Sequence, residues 1–266
     1  MDIMPVESRV IRLDQSIESW EYSDLPQDWV EWCPVCGWDS GSTCLTTERY
    51  GLSVGVSTCA ECGFVYFNPQ ISPEAYLAFY ASGKYRELVS GHHGRLINAE
   101  TIKPEQEAYG KALCQFIAEE IRPKPSPWSL ILDVGGSTGT VSRQFPSEDR
   151  IVVDPASAEI PHGAIEGTLE LTEKMRGVAD LVLCCQMIDH VPEPSAFLID
   201  AMGCMTQGGY LWIDILDYAT TREIKIDHPS NFTRPVLERL VWGVGLTPIA
   251  DRAVDNHIGL LCKRST

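Results

Sequence analysis

No stretch of this chain approaches the ~18–20 consecutive apolar residues that a membrane-spanning helix requires, so no membrane span is expected. Residues 1–18 mix charged and apolar side chains and lack the continuous apolar core of a secretory leader. A soluble, cytoplasmic protein is the expectation. Positive charge is also scarce: 21 Lys and Arg stand against 37 Asp and Glu, for a net charge of −16. A protein that grips a nucleic-acid backbone needs a basic stripe to displace counterions. The densest basic stretch, Arg252 to Arg264, is too sparse for that, so RNA and DNA are not expected partners. Internal repeats and low-complexity tracts are missing too. What remains is an ordinary globular composition, 44% hydrophobic and 22% charged over 266 residues. That is enough for one large domain, or a small and a medium one.

Cysteine, by contrast, is plentiful at ten residues. In a reducing compartment, Cys-x-x-Cys pairs more often bind metal or do redox work than form structural disulfides. Cys33-Pro-Val-Cys36 and Cys59-Ala-Glu-Cys62 are two such pairs, 22 residues apart, each followed by a glycine (Gly37, Gly63) where a tight knuckle needs positive φ. Together they offer four thiolates to a tetrahedral Zn²⁺, a closed shell with a structural role. The competing readings are two unrelated pairs or a redox site. Cys114, Cys184, Cys185, Cys204 and Cys262 lie in apolar segments as small hydrophobes, and Cys44 is a spare thiol.

Along the chain, residues 1–70 read as an acidic N-terminal segment, with Trp20, Tyr22 and Trp29 as packing anchors, followed by a turn-rich, β-like metal module. Residues 71–125 read as a helical cap. Ser72-Pro73-Glu74 is a helix start, giving a helix to about Ala81, and 83–94 reads as a polar loop containing Tyr85, His92 and His93. A second helix begins near Lys103, with Tyr109, Leu113, Phe116, Ile117 and Ile121 on one face. Residues 126–266 alternate short apolar runs with helical stretches, the pattern of a parallel sheet with crossover helices. The expected strands are 130–133, 151–154, 164–166, 181–185 and 210–215, then a closing antiparallel hairpin of 248–252 and 257–262. Helices are expected at 138–145, 169–176, 194–206 and 234–244, with Thr233 capping the last and Gly245 ending it.

Ile131-Leu-Asp-Val-Gly-Gly-Ser-Thr-Gly139 places Gly135, Gly136 and Gly139 directly after a buried strand, where the backbone must turn closely against a ligand. A helix starting at Thr138 would aim its amides at that ligand. Asp154, 21 residues after Asp133, ends the next strand, where a carboxylate can accept both hydroxyls of a ribose. This loop is not the Gly-x-Gly-x-x-Gly of dinucleotide sites.

The sequence here resembles class I S-adenosylmethionine-dependent methyltransferases, whose first motif is acidic-x-Gly-x-Gly-x-Gly and whose sheet ends in an antiparallel hairpin. Ala179 to Pro194 is similar to that family's fourth strand and following turn, Met205 to Ile213 to its entry into strand five, and Asp227 to Thr233 to a segment of small-molecule methyltransferases. Cys-Pro-x-Cys-Gly, Cys-x-x-Cys-Gly, Phe-Asn-Pro and Ser-Pro-Glu resemble the subgroup acting on sugars and natural products. Two positions depart from the pattern: Ser137 replaces the middle glycine, and Asp189 the usual glutamate before His190. Relatives acting on sugar carbon carry a further C-terminal domain, which turns the expectation toward O- or N-methylation.

The resemblance implies a Rossmann-like sheet preceded by a zinc-ribbon-like module and a helical cap, and S-adenosylmethionine as cofactor. It places Gly135 and Gly139 at the methionine part, Ser137 near its carboxylate and Asp154 at the ribose. Gly167 would line the adenine pocket, Gln186 would sit near the sulfonium, and Tyr80 and Tyr85 would close over the cofactor. Asp133 either contacts the amino group or caps the turn. The expected reaction is methyl transfer to a hydroxyl of a small molecule, a sugar or nucleotide-linked sugar, with a histidine taking the proton. His228 leads the candidates, followed by His190 and the tandem His92 and His93. The divalent ion that quinone-type relatives hold near this turn is not expected, because Asp189 is the one acid there. Alternatives are a sugar C-methyltransferase, a zinc-finger RNA-base methyltransferase, and a non-catalytic interaction protein with a decayed cofactor site. A small-molecule acceptor is the expected partner, and a homodimer is allowed.

Overall fold

A computed structural model describes residues 25–39, 41–121, 127–154 and 173–265. Trp20, Tyr22, the strand expected at 164–166, Gly167 and most of the helix expected at 169–176 lie outside them. The described residues begin with β1 (Gln27–Asp28), β2 (Thr43–Thr47), β3 (Ser53–Thr58), β4 (Val65–Phe67) and β5 (Gln70–Ile71). Trp29, expected to anchor this segment, is exposed instead. Then come helices α1 (Pro73–Ala81), α2 (Lys84–His93) and α3 (Lys103–Glu120). Ser72 caps α1 as its sequence suggests, its hydroxyl accepting from the Ala75 amide at 3.3 Å.

The remainder supplies β6 (Trp128–Val134), β7 (Ser147–Val153), β8 (Ala179–Cys185), α4 (Pro194–Gly203), β9 (Met205–Leu216), α5 (Tyr218–Thr221), β10 (Ser230–Asn231), α6 (Arg234–Gly243), β11 (Leu246–Val254) and β12 (His257–Arg264). Thr233 stands at the start of α6 without a side-chain capping bond, and Gly245 follows its end at φ 87°. Six strands form one sheet in the order β11-β12-β9-β8-β6-β7. β7, β6, β8 and β9 run parallel, and β12 is antiparallel to both its neighbours. The expected Rossmann-like sheet with a terminal antiparallel hairpin is therefore present. Ligands of such sheets bind beyond the carboxyl ends of the strands, where the strand order reverses. Here that point lies between β6 and β8.

One face of the sheet (Ile131, Leu181, Leu183, Trp212, Leu261) is covered by α3 through Leu113 and Ile117. The opposite face (Leu132, Val182, Ile213, Leu260) packs against α4, α6 and the N-terminal module, whose Cys33, Cys59, Phe64 and Tyr66 share this core. The two halves also share backbone pairing: β10, which follows β9 of the main sheet, pairs with β4 of the module and completes the sheet β10-β4-β3-β2.

Two expectations are corrected. Residues 83–94 form helix α2 rather than a loop. Gly83 and Gly94 adopt left-handed φ of 77° and 61° and bracket ten residues rich in helix formers, which bury Leu88, Ser90 and Gly91. The helix expected from Thr138 is only turns and a three-residue 3₁₀ segment, Ser142–Gln144. Gly139 at φ 69° breaks helical geometry near its start, and Pro146 disfavours it at Phe145.

Gly259 on β12 shows how tightly the sheet end is packed: a Cβ there would meet Trp212 Cζ2 at 2.3 Å. Gly259→Ala is expected to destabilise the protein by roughly 1–3 kcal/mol through overpacking. Urea unfolding checks this, with a lower midpoint at an unchanged slope as the expected result.

Candidate active site

A cavity of about 830 Å³ opens over the carboxyl ends of β6, β7, β8 and β9. Gly135, Ser137 and Asp154 line one end, Gln186 and His190 the middle, and Asp214 and His257 the other end. Tyr80, Tyr85 and Tyr109 from the three helices form its roof. Among the described residues its lining begins at Tyr80, so the cysteine knuckles support the sheet from behind and do not line the cavity.

The glycine turn is held by close approach. Gly135 has φ 72° and its amide donates to Val153 O at 2.7 Å; a Cβ there would lie 2.4 Å from Met187 Sδ. A Cβ at Gly136 would lie 2.4 Å from Asp133 Cγ, so the missing side chain is the space the Asp133 carboxyl occupies. Ser137 takes a left-handed φ of 49°, a conformation that glycine would adopt without strain. Its amide donates to Asp154 Oδ2 at 2.7 Å, tying the turn to the end of β7. Asp133 is 1% exposed and is not part of the cavity wall. Burial pushes its carboxyl up to about 6; a hydrogen bond from Ser142 opposes this and the nearby Asp154 charge adds to it.

The histidines separate by position. His92 and His93 end α2 as exposed residues, His92 edge-on to Tyr50, and neither lines the cavity. His228 is bracketed by carboxylates, with Nδ1 3.0 Å from Asp189 Oδ2 and Nε2 3.4 Å from Asp227 Oδ2. Both its nitrogens are engaged, and it too is absent from the cavity wall. His190 does line the cavity. Its Nδ1 lies 2.8 Å from the Asp227 carbonyl and 2.6 Å from the Tyr80 hydroxyl, which itself donates to that carbonyl at 2.7 Å. A carbonyl can only accept, so these partners place the ring proton on Nδ1 and leave Nε2 as the basic nitrogen. Burial lowers the His190 pKa, and the adjacent His228 lowers it further against the opposing pull of Asp189 and Asp227. Burial alone would raise Asp189, but the charges of His228 and His190 outweigh it and hold this carboxyl below the usual range. Donor atoms of Asp189, His190 and His228 lie within 4.8 Å of one another. All four ring nitrogens face protein oxygens, His190 Nε2 at 4.0 Å from Asp189 Oδ1, and both Asp189 carboxylate oxygens are buried with no geometrically formed hydrogen bond.

Sequence reasoning missed Asp214. It is 2% exposed, lines the cavity, and accepts from Trp212 Nε1 at 3.2 Å. Burial pushes its carboxyl up to about 7 against hydrogen bonds from Tyr109 and Trp212. The available signal was a lone acid in the apolar run Leu211-Trp-Ile-Asp-Ile-Leu216 of a buried strand.

The four knuckle cysteines converge. Cys33 and Cys62 sulfurs are 3.6 Å apart, as are those of Cys36 and Cys59, and all four lie within 4.8 Å. Gly37 and Gly63, at φ 69° and 77°, donate back to the Cys33 and Cys59 carbonyls, both at 2.9 Å. Tetrahedral zinc with Zn–S of about 2.3 Å sets sulfurs about 3.8 Å apart, so the donor set fits that ion.

Asp133 supplies a pH test. Its folded pKa of about 6 exceeds the ordinary carboxyl value of 3.8, so its contribution to stability is complete below about 3.8 and is lost as pH rises through about 6. Asp133→Asn, which cannot ionise, is expected to gain stability relative to the parent as pH rises from about 3.8 through about 6. Chemical unfolding at both ends of that window checks it.

Neither a protein-family model nor a curated protein sequence matches this chain. Solved structures do match its fold. A 1,6-didemethyltoxoflavin-N1-methyltransferase from Burkholderia thailandensis with bound S-adenosylhomocysteine aligns at TM-score 0.55 and 16% identity, covering 80% of this chain and 96% of that one. DhpI in complex with SAH aligns at 0.50 and 16% identity, covering 72% and 96%. A SAM-dependent methyltransferase from Leishmania major aligns at 0.50 and 11% identity, covering 71% and 81%. At these identities the likeness concerns architecture, and the architecture of this chain is that of the class I SAM-dependent methyltransferases.

Proposed function

We propose that this chain is a methyltransferase that moves the methyl group of S-adenosylmethionine to a hydroxyl of a small molecule, with a structural Zn²⁺ in Cys33, Cys36, Cys59 and Cys62. The observation that carries the reading is the arrangement of one cavity. A glycine turn fastened to Asp154 lies at its nucleoside-binding end, and a histidine with a basic nitrogen lies across the strand-order reversal.

S-adenosylmethionine supplies an electrophilic methyl on a sulfonium, already activated for displacement. Asp154 is placed to accept the ribose hydroxyls, the backbone of Gly135–Ser137 to meet the carboxylate end, and Gln186 to sit beside the sulfur. The main task left to the protein is alignment of donor and acceptor. His190 accepts the hydroxyl proton at Nε2 as the new oxygen–carbon bond forms and the carbon–sulfur bond breaks. Tyr80 and the Asp227 carbonyl hold the tautomer that makes this atom basic. Position favours His190 over His228 in this role, since His228 is committed to two carboxylates.

For the acceptor we read a sugar or nucleotide-linked sugar. Tyr80 and Tyr85 offer ring faces for a sugar, and Asp214 is placed to accept from a hydroxyl. Arg86 and Arg252 bring two cations to the wall of a cavity in a strongly acidic chain, which suits a phosphate-bearing carrier.

Four outcomes are expected. Asp154→Ala weakens SAH binding by roughly 10–100-fold, the loss of a charge-assisted contact of about 1.5–3 kcal/mol. Calorimetry checks it, and an unchanged affinity would remove Asp154 from the site. His190→Gln lowers turnover by about 10²–10⁴ with radiolabelled SAM and a panel of nucleotide-linked sugars, while SAH affinity holds. In the parent, activity falls on the acid side with an apparent pKa below about 6.5, because His190 must be neutral to accept the proton. Elemental analysis returns one zinc per chain, and chelation lowers the melting temperature; a metal-free, equally stable protein would refute the zinc assignment.

A further inference from the structure

Resting on the reading of His190 as base, we propose that Glu48, in the N-terminal module and outside the cavity wall, is a positioning residue that holds the His190–Asp227–His228 network in register. The segment 223–231 carries Asp227 and His228 but makes few of its backbone bonds to the sheet it follows. The module takes them up. Arg49 N donates to Ile224 O at 2.8 Å, Phe67 N to Pro229 O at 3.0 Å, and Ser230 and Asn231 pair with Tyr66 and Val65. The Arg49 guanidinium also pairs with Glu223.

At the centre of this seam is the Glu48 carboxylate, 4% exposed. Its Oε1 accepts from the Tyr50 and Leu52 amides at 2.6 and 3.1 Å, and its Oε2 accepts from Ile226 at 3.0 Å, across 178 residues of sequence. One side chain thus fastens the β2–β3 turn to the residue immediately before Asp227. The Asp227 carbonyl is the atom that fixes His190 Nδ1, and its carboxylate faces His228. A carboxylate is costly to bury, and here burial raises its pKa against three backbone donors. A hydrophobic side chain would pack such a turn without that cost but could not hold the Ile226 amide. The metal module therefore acts on the chemistry through a rigid hydrogen-bonded path, with no residue of its own in the cavity.

The groups facing His190 are Asp189 on its own turn, Asp227 and His228 on the held segment, and Tyr80 and Tyr85 from the helical roof. The test uses the full, metal-loaded chain saturated with SAH and carrying labelled imidazole, and follows His190 and His228 by NMR as pH is varied. In the parent, His190 titrates below about 6.5, the ordinary imidazole value. In Glu48→Ala it moves up toward that value and the His228 signals shift with it, while SAH affinity stays at the parent level. Glu48→Gln keeps the volume and one acceptor, gives a smaller shift of the same sign, and decides the matter if the alanine variant does not fold. Thr47→Ala, exposed on β2, leaves both histidines unchanged. His190 titrating as in the parent in a folded Glu48 variant overturns the proposal. Failure of the parent to bind SAH at all overturns the methyltransferase reading beneath it instead.

Discussion

The 2.7 Å hydrogen bond from the Ser137 amide to Asp154 is the constraint on which the cofactor end of the site depends. It joins the turn after the first strand of the main sheet to the end of the second, across the parallel pair β6–β7. Its geometry requires Ser137 in a left-handed conformation and an Asp133 carboxyl directly beneath Gly136. Each local cost there, a strained serine and a buried acid, follows from holding that turn close against the place a ligand fills. The strand ends that flank it are buried, Ile131 to Val134 of β6 and Val152 and Val153 of β7, which anchors the turn to the sheet.

The second organising feature is the seam between the N-terminal module and the segment after β9. Strand β10 belongs by sequence to the cofactor-binding half and by pairing to the module. Cys33, Cys59, Phe64 and Tyr66 lie in the same core as the main sheet. A closed four-thiolate site would then stiffen a sheet whose last strand leads straight from the paired residues Asp227 and His228. An ion held there would sit behind the sheet and outside the cavity wall.

What the sequence made legible shares one property: it rests on contacts close in the chain or on residue chemistry that survives without neighbours. The knuckles Cys33–Cys36 and Cys59–Cys62, the glycine turn, the Ser72 cap and the terminal hairpin are of this kind. Helix α2 was obscured by Gly91 and the His92–His93 pair inside an otherwise helix-favouring run, and by reading Gly83 and Gly94 as loop residues rather than bounds. The 3₁₀ segment at Ser142–Gln144, where a helix from Thr138 was expected, follows from Gly139 and Pro146. The ranking of His228 above His190 could not be settled from one dimension. It turns on the Asp227 carbonyl, 37 residues from His190, and on Tyr80, 110 residues away. Asp214 and Glu48 were hidden for the same reason, since each depends on partners brought by distant strands.

A crystal structure of the metal-loaded chain with S-adenosylhomocysteine tests the central claim most directly. The account predicts the ribose hydroxyls on the Asp154 carboxylate, the carboxylate end against the Gly135–Ser137 backbone, and the sulfur facing a space bounded by Gln186 and His190 Nε2. Density for the nucleoside elsewhere, or a crevice left empty at millimolar ligand, would contradict it.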